Sequence, residues 1–147
     1  MRLLLDEGMP VQLLEPLRRN SPHQFQHVDE LGWKGKQDAN LFRATATRDF
    51  AALLVLDVDQ LVDPDLCRAL KASGLHHISL RQGRRVKGKT GVARVIASLV
   101  VAMPYILADL ETVDEQRSVE VALLTAGARH ETLDPRRERQ RFPYWPA

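Results

Sequence analysis

Short apolar runs that end on acidic residues constrain the fold of this chain more than any other feature of its sequence. Residues 3–10 read LLLDEGMP, an apolar run that closes on two carboxylates and then on a glycine and a proline. Residues 52–59 read ALLVLDVD and repeat the pattern. Continuous apolar runs of this length predict strands that are buried on both faces, as in parallel sheets. Because ligands of such sheets bind outside the carboxyl ends of the strands, the acids that follow these runs are candidates for a site.

Strand-like and helix-like segments alternate along the chain, which is the pattern of an α/β domain with a mainly parallel sheet. The predicted strands cover residues 2–5, 25–28, 52–56 and 76–80, and the predicted helices cover residues 10–19, 63–71 and 91–110. Another helix is expected after Asp38, which would act as its N-cap. Asp63 is expected to cap the helix that Gly74 ends. Residues 118–124 and 129–133 are expected to pair as a hairpin.

Composition indicates one globular domain and excludes several classes of protein. The chain has 147 residues, of which 44% are apolar and 27% charged, enough for a single core. Cys67 is its single cysteine, so an internal disulfide and a cysteine-rich zinc site are excluded, and a cytoplasmic location is expected. Residues 92–108 are the longest apolar stretch, but they contain Arg94 and Pro104 and are short of the roughly 20 residues of a membrane span. A buried helix, and no membrane association, is expected there.

Basic residues concentrate in two segments, residues 81–94 and residues 136–141. The net charge is only +2, so attraction to nucleic acid must come from local patches. The residues predicted to contact the phosphates of a nucleic acid strand are Arg81, Arg84, Arg85, Lys87 and Lys89. Residues 83–90 (GRRVKGKT) also fit the P-loop pattern G-x-x-x-x-G-K-[ST] between a strand and a helix. No apolar strand that ends in Asp follows this loop, so nucleotide binding is kept as an alternative.

Acidic residues from separate segments provide the ligand type that Mg²⁺ or Mn²⁺ prefers, which is hard oxygen. The predicted metal ligands are Asp6, Glu7, Asp38, Asp57 and Asp59. Among them, Asp6, Asp38 and Asp59 are the predicted catalytic residues, since a bound ion activates water and neutralises charge on a phosphate. Side chains alternate along an extended chain, so Glu7 joins Asp6 only if the strand has already ended. The alternative is that these acids are solvated residues at the ends of strands.

Three segments resemble the PIN-like domains: residues 3–10, residues 27–35 (HVDELGWKG) with Asp38 soon after, and residues 58–60 (VDQ) behind a buried strand. In particular, they are similar to small bacterial PIN-like nucleases with possible roles in toxin–antitoxin pairs. The resemblance covers residues 1–111 and implies a Rossmann-like three-layer α/β/α fold. Residues 112–133 are then a C-terminal extension, and residues 134–147 are a basic, proline-rich tail.

The resemblance implies a metal-dependent nuclease that cleaves RNA phosphodiester bonds, as a toxin or as an RNA-processing component. RNA is the expected substrate, and an antitoxin, another protein or a second copy is the expected partner. The chain departs from the family at Gly8, where Asn is usual, at Asp57, where Thr is usual, and at Leu61, where a polar residue is common. A catalytically degenerate PIN-like module that binds a partner or nucleic acid is therefore the alternative.

Overall fold

The computed structural model describes residues 1–56, 59–81, 88–124 and 140, with residues 59 and 60 described by their backbone alone. Five strands form one sheet in the order β2-β1-β3-β4-β5, and every pair of neighbours is parallel. The strands are β1 (Arg2–Leu5), β2 (Gln24–His27), β3 (Ala52–Val55), β4 (His76–Leu80) and β5 (Ser118–Val121). The prediction of an α/β fold with a mainly parallel sheet is confirmed, and the arrangement is compatible with a Rossmann-like fold.

The helices cover both faces of the sheet and make three layers. They are α1 (Leu14–Arg19), which continues a 3-10 helix at Val11–Leu13, α2 (Asp38–Ala46), α3 (Pro64–Ser73) and α4 (Gly88–Glu111). Leu3 and Leu5 point to the face where α1 and α4 pack, while Leu4 points to the face where α2 and α3 pack. Alternation of side chains along β1 therefore supplies both cores from one apolar run.

The two predicted helix caps have different outcomes. Asp63 caps α3 as expected, because its Oδ1 accepts the backbone N–H of Asp65 at 2.8 Å, and Gly74 ends the helix with a left-handed φ of 72°. The prediction that Asp38 is an N-cap is wrong. Asp38 is the first residue within α2, and the N-cap position belongs to Gln37. Its carboxylate therefore belongs to the first helical turn rather than to the cap position.

β5 lies at the edge of the sheet beside β4, where Ile78 pairs with Val119 and Leu80 with Val121. Residues 118–121 thus form the predicted strand, but this strand pairs in parallel with β4. The predicted hairpin partner, residues 129–133, lies outside the described residues. Val121 is buried in the core that α4 covers, so the sheet continues beyond residue 111.

α4 is buried along one face only. Val95, Leu99 and Met103 pack on the sheet, whereas Val101 is 58% exposed and Tyr105 is 75% exposed. The prediction of a buried helix therefore holds for the inner face and is wrong for the outer one. In the described part of the chain, α4 is the one helix long and apolar enough to cross a membrane, by length and composition alone.

Candidate functional site

Asp6 lies at the carboxyl edge of the sheet, directly after β1. Its backbone N–H donates to the carbonyl oxygen of Leu54 at 2.9 Å, so hydrogen bonding between β1 and β3 extends to this residue. By alternation Asp6 lies on the same face as Leu4, which is the face that α2 covers. The carboxylate of Asp6 is therefore directed towards the layer that contains Asp38.

Asp38 lies close enough to Asp6 to act on it electrostatically. The pKa of Asp6 is raised, mainly because its carboxylate is half-buried. A hydrogen bond from the backbone N–H of Glu7 opposes this effect, while the negative charges of Asp38 and Glu7 add to it. The fold thus places two carboxylates that are 32 positions apart in the sequence within range of electrostatic interaction.

Glu7 belongs to the turn that follows β1, because the strand ends at Leu5. The backbone N–H of Gly35 donates to Glu7 Oε2 at 2.8 Å, so the carboxylate reaches the loop that precedes α2. The condition under which Glu7 joins Asp6 is therefore met. Glu7 is exposed, and it ties the turn after β1 to the segment that leads into Asp38.

The remaining predicted ligands follow β3, the neighbour of β1. Asp57 lies outside the described residues, and Asp59 begins a 3-10 helix, Asp59–Val62, in which only its backbone is described. Since β1 and β3 are parallel and adjacent, both acids follow a strand that ends at the same edge as Asp6. Among the side chains that the structure describes, no group of three or more His, Cys, Asp or Glu could hold a metal ion.

His27 is a residue of this edge that sequence reasoning did not single out. It is 2% exposed, its Nε2 lies 3.0 Å from the carbonyl oxygen of Met9, and its Nδ1 accepts the backbone N–H of Asp29 at 3.1 Å. Because a carbonyl oxygen only accepts, Nε2 carries the proton. His27 therefore joins the end of β2 to the turn that follows Asp6. The sequence feature that could have pointed to His27 is its position at the end of a strand-like run, just before two acidic residues.

A second carboxylate near this edge is fully paired. Glu30 Oε1 accepts the backbone N–H of His27 at 3.0 Å and a hydrogen bond from Arg18 at 2.8 Å. Burial acts to raise the pKa of Glu30, but these hydrogen bonds and the positive charge of Arg18 outweigh it, so the pKa is lowered. Arg18, Glu30 and His27 therefore form a connected network that holds the end of β2.

A cavity of about 410 Å³ opens beside the acidic edge. Its lining includes Glu7, Gly8, His27, Leu56 and Val92, so it lies between the turn after β1 and the first turns of α4. Ligand pockets of proteins are typically about 300–1,000 Å³ and combine apolar walls with a few polar groups. This cavity has both properties, but of the acids of the edge it is lined by Glu7 and Asp29, and not by Asp6 or Asp38.

The predicted nucleic-acid contacts are only partly described. Arg81 directly follows β4 and pairs with Glu120 of β5 at 2.8 Å, and Lys89 is exposed in the first turn of α4. Both lie at the carboxyl edge, as Asp6 does. Arg84, Arg85 and Lys87 lie outside the described residues. The P-loop pattern lies between a strand and a helix, since β4 ends at Leu80 and α4 begins at Gly88, and residues 82–87 lie outside the described residues.

These features define a class of protein: an α/β domain with a five-stranded parallel sheet and a pair of carboxylates at its carboxyl edge. No protein-family model, no curated protein and no solved structure matches the chain. Its function is therefore inferred from the residues of the edge.

Proposed function

We propose that this protein is a PIN-like endoribonuclease that depends on Mg²⁺ or Mn²⁺ and acts as the toxin of a toxin–antitoxin pair or in RNA processing. The observation that supports it is the pair formed by Asp6 and Asp38 at the carboxyl edge of a parallel sheet. This edge is where open α/β sheets bind their ligands. Mg²⁺ is usually held by one or two carboxylates, with waters and substrate phosphates as its other ligands.

The electrostatics of the pair are suited to a divalent cation. Burial and the neighbouring carboxylates raise the pKa of Asp6, which means that its ionised form is held at a cost. A cation between Asp6 and Asp38 would remove that cost, with Asp57 and Asp59 as further ligands from the end of β3. When bound, the ion supplies an activated water and neutralises charge on the phosphate.

The positive groups at the same edge favour a phosphodiester substrate. Lys89 is exposed in the first turn of α4, where backbone N–H groups and the helix dipole favour an anion. Arg81 lies at the end of β4, between the acidic pair and the outer strand β5. In this proposal, Arg81 and Lys89 hold the backbone of an RNA strand, with Arg84, Arg85 and Lys87 as further contacts.

A Mn²⁺ titration with matched variants tests the metal site. In chelator-treated wild-type protein, Mn²⁺ is expected to raise the free energy of unfolding by about 2.7 kcal/mol at 100 times its dissociation constant. Asp6→Asn and Asp38→Asn should lose this response together with Mn²⁺-dependent RNA cleavage. Asp114→Asn is the control, because Asp114 is exposed and precedes β5, at the opposite edge of the sheet. A wild-type protein that ignores Mn²⁺, or an Asp6→Asn variant that responds fully, would contradict the proposal.

A catalytically degenerate binding module is the second candidate. Two observations favour it: the described side chains include no group of three or more His, Cys, Asp or Glu that could hold a metal ion, and α4 has an exposed apolar face. Such a module would bind RNA or a protein without cleavage and without a response to Mn²⁺. The titration above therefore separates the two candidates.

A further inference from the structure

The outer side of α4 is apolar along the middle of the helix. Between Arg94 and Asp109 the helix contains no charged residue. The exposed apolar residues on its outer side are Ala93, Ala97, Val101, Pro104, Tyr105 and Ala108. Their spacing of three or four positions places them in one row along the helix. We call this row the outer face of α4.

This face differs from the scattered apolar residues of an ordinary surface. Single exposed apolar side chains are common in soluble proteins, but a contiguous apolar row marks an interaction site. Val101, near the middle of the row, is 58% exposed, and Tyr105, towards its carboxyl-terminal end, is 75% exposed. A helix that is apolar on both sides needs a second contact surface, and the sheet provides only the first.

Charges border the outer face at its two ends with opposite signs. Lys89 and Arg94 lie at the amino-terminal end, and Asp109 and Glu111 lie at the carboxyl-terminal end. This distribution opposes the helix dipole, which favours acids in the first turn and bases in the last. The charges therefore do not serve to stabilise α4 itself. Two of them have local partners: Arg94 donates to the carbonyl oxygen of Leu124, and Glu111 lies 3.2 Å from His23.

We propose that the outer face of α4 is the interface of a homodimer, in which two copies of α4 pack antiparallel about a twofold axis near Val101. A twofold interface buries the same patch of both protomers, and an uncharged patch does not repel its own copy. Arg94 and Asp109 lie at nearly equal distances from Val101 along the helix. The antiparallel arrangement therefore places the basic end of each α4 beside the acidic end of the other, whereas a parallel one would place like charges together.

The side chains of the face suit helix-on-helix packing. Ala93, Ala97 and Ala108 leave space for close approach of the second helix, since the distance between helix axes depends on the side chains at the contact. Tyr105 supplies an aromatic side chain of the type that is enriched at interfaces. The centre of the face lies about 20 Å along α4 from its first turn. The dimer consequently leaves the acidic edge open, and its existence does not depend on nuclease activity.

The oligomeric state of the full-length protein, measured by sedimentation velocity, tests the proposal. The wild-type protein is expected to be a dimer, and Val101→Asp should weaken self-association roughly 100-fold or more, because the twofold axis brings two buried like charges together. Val62→Asp is the matched control, since Val62 is 78% exposed on the 3-10 helix that follows β3 and should leave the dimer intact. A monomeric wild-type protein, a dimeric Val101→Asp variant, or wild-type binding to phosphatidylcholine vesicles in place of self-association would each overturn the proposal.

Disulfide cross-linking tests the orientation of the two helices. The background is Cys67→Ser, which keeps a donor for the carbonyl oxygen of Leu61 that Cys67 Sγ contacts at 3.2 Å. In that background Val101→Cys should form a disulfide with its own copy across the axis, because a disulfide requires Cβ atoms about 3.8 Å apart. Ala108→Cys should cross-link to Ala93→Cys in a mixture, but not to itself. Self-linking of Ala108→Cys would overturn the antiparallel arrangement.

Discussion

The ends of β1 and β2 lie side by side at the carboxyl edge of the sheet, and each is followed by a carboxylate in opposite electrostatic surroundings. Beyond β2, Glu30 is exposed and accepts hydrogen bonds from the His27 backbone and from Arg18, and its pKa is lowered although partial desolvation acts to raise it. Beyond β1, Asp6 is half-buried beside Asp38 and Glu7, and its pKa is raised. The neighbours of Glu30 thus stabilise its ionised form. The ionised form of Asp6 is instead destabilised by burial and by the negative charges of Asp38 and Glu7.

The difference separates a structural acid from a candidate functional one. Glu30 has partners that account for its presence, since it holds the end of β2 in place. The partners described for Asp6 do not offset the cost of its charge, because burial and two like charges outweigh one backbone hydrogen bond. Groups held at such a cost are characteristic of functional sites. This reasoning supports the assignment of Asp6, rather than Glu30, to the proposed metal site.

Replacement of His27 should have the largest effect on this comparison, because His27 holds the end of β2 through one buried and one partly buried hydrogen bond. His27→Phe leaves the Met9 carbonyl and the Asp29 N–H without partners and should lower the free energy of unfolding by about 2–4 kcal/mol. His27→Gln is the matched control, since its amide keeps a donor of similar reach for Met9. Urea unfolding at neutral pH measures both variants, and equal losses in the two would show that packing of the ring dominates.

The sequence predicts this edge only in part, for identifiable physical reasons. The apolar run before Asp6 and the run before Asp57 predict buried parallel strands, because continuous burial and strand length are local properties. The cap at Asp63 is also local, since its partners are the next few backbone N–H groups. Parallel pairing of these strands was expected to bring Asp6 near the acids that follow residues 52–56, whereas the approach of Asp38 to Asp6 depends on how α2 packs on the sheet.

Other features depend on contacts between segments that are distant in the sequence. The hydrogen bond from His27 to Met9 forms only after β2 has paired with β1. β5 pairs with β4 across the whole of α4, so alternation of residues 118–124 could indicate a strand but not its neighbour. The exposure of Tyr105 could not be predicted, because the sequence of a helix that is apolar on all sides does not show which face packs on the sheet. Local patterns therefore predict the elements, while the site and the surface require the packing.

Glu30→Gln should have the second-largest effect on the free energy of unfolding, and this effect should appear only in part of the pH range. The folded-state pKa of Glu30 is lowered from 4.5, so its ionised form adds stability above that pH, and this stability is lost as the pH falls through the folded-state pKa. Because the pair with Arg18 is partly exposed, the variant should lose roughly 0.5–1 kcal/mol at neutral pH and approach the wild type in acid. Thermal unfolding at a series of pH values measures this difference.

Glu15→Gln is the control for Glu30→Gln, because Glu15 also pairs with an arginine of α1, but on the exposed surface of that helix. Its loss should be close to zero at every pH, as is usual for exposed ion pairs. A loss in Glu30→Gln that does not change with pH, or an equal loss in Glu15→Gln, would show that charge pairing does not explain the stability of the β2 end.

Asp6→Asn should have the smallest effect and the opposite sign. The folded-state pKa of Asp6 is raised from 3.8, so the protonated acid is favoured by folding, and the stability that it contributes at low pH is lost as the pH rises through the folded-state pKa. An uncharged Asn avoids this loss, so Asp6→Asn should raise the free energy of unfolding of the chelator-treated protein at pH 7. The gain should be less than about 1 kcal/mol, because water screens the charge of the half-exposed carboxylate. The gain should vanish well below pH 3.8. With Mn²⁺ present the wild type should be the more stable of the two, since only the wild type gains binding energy. If Asp6→Asn is instead less stable than the wild type in the presence of chelator, Asp6 is a structural acid, as Glu30 is.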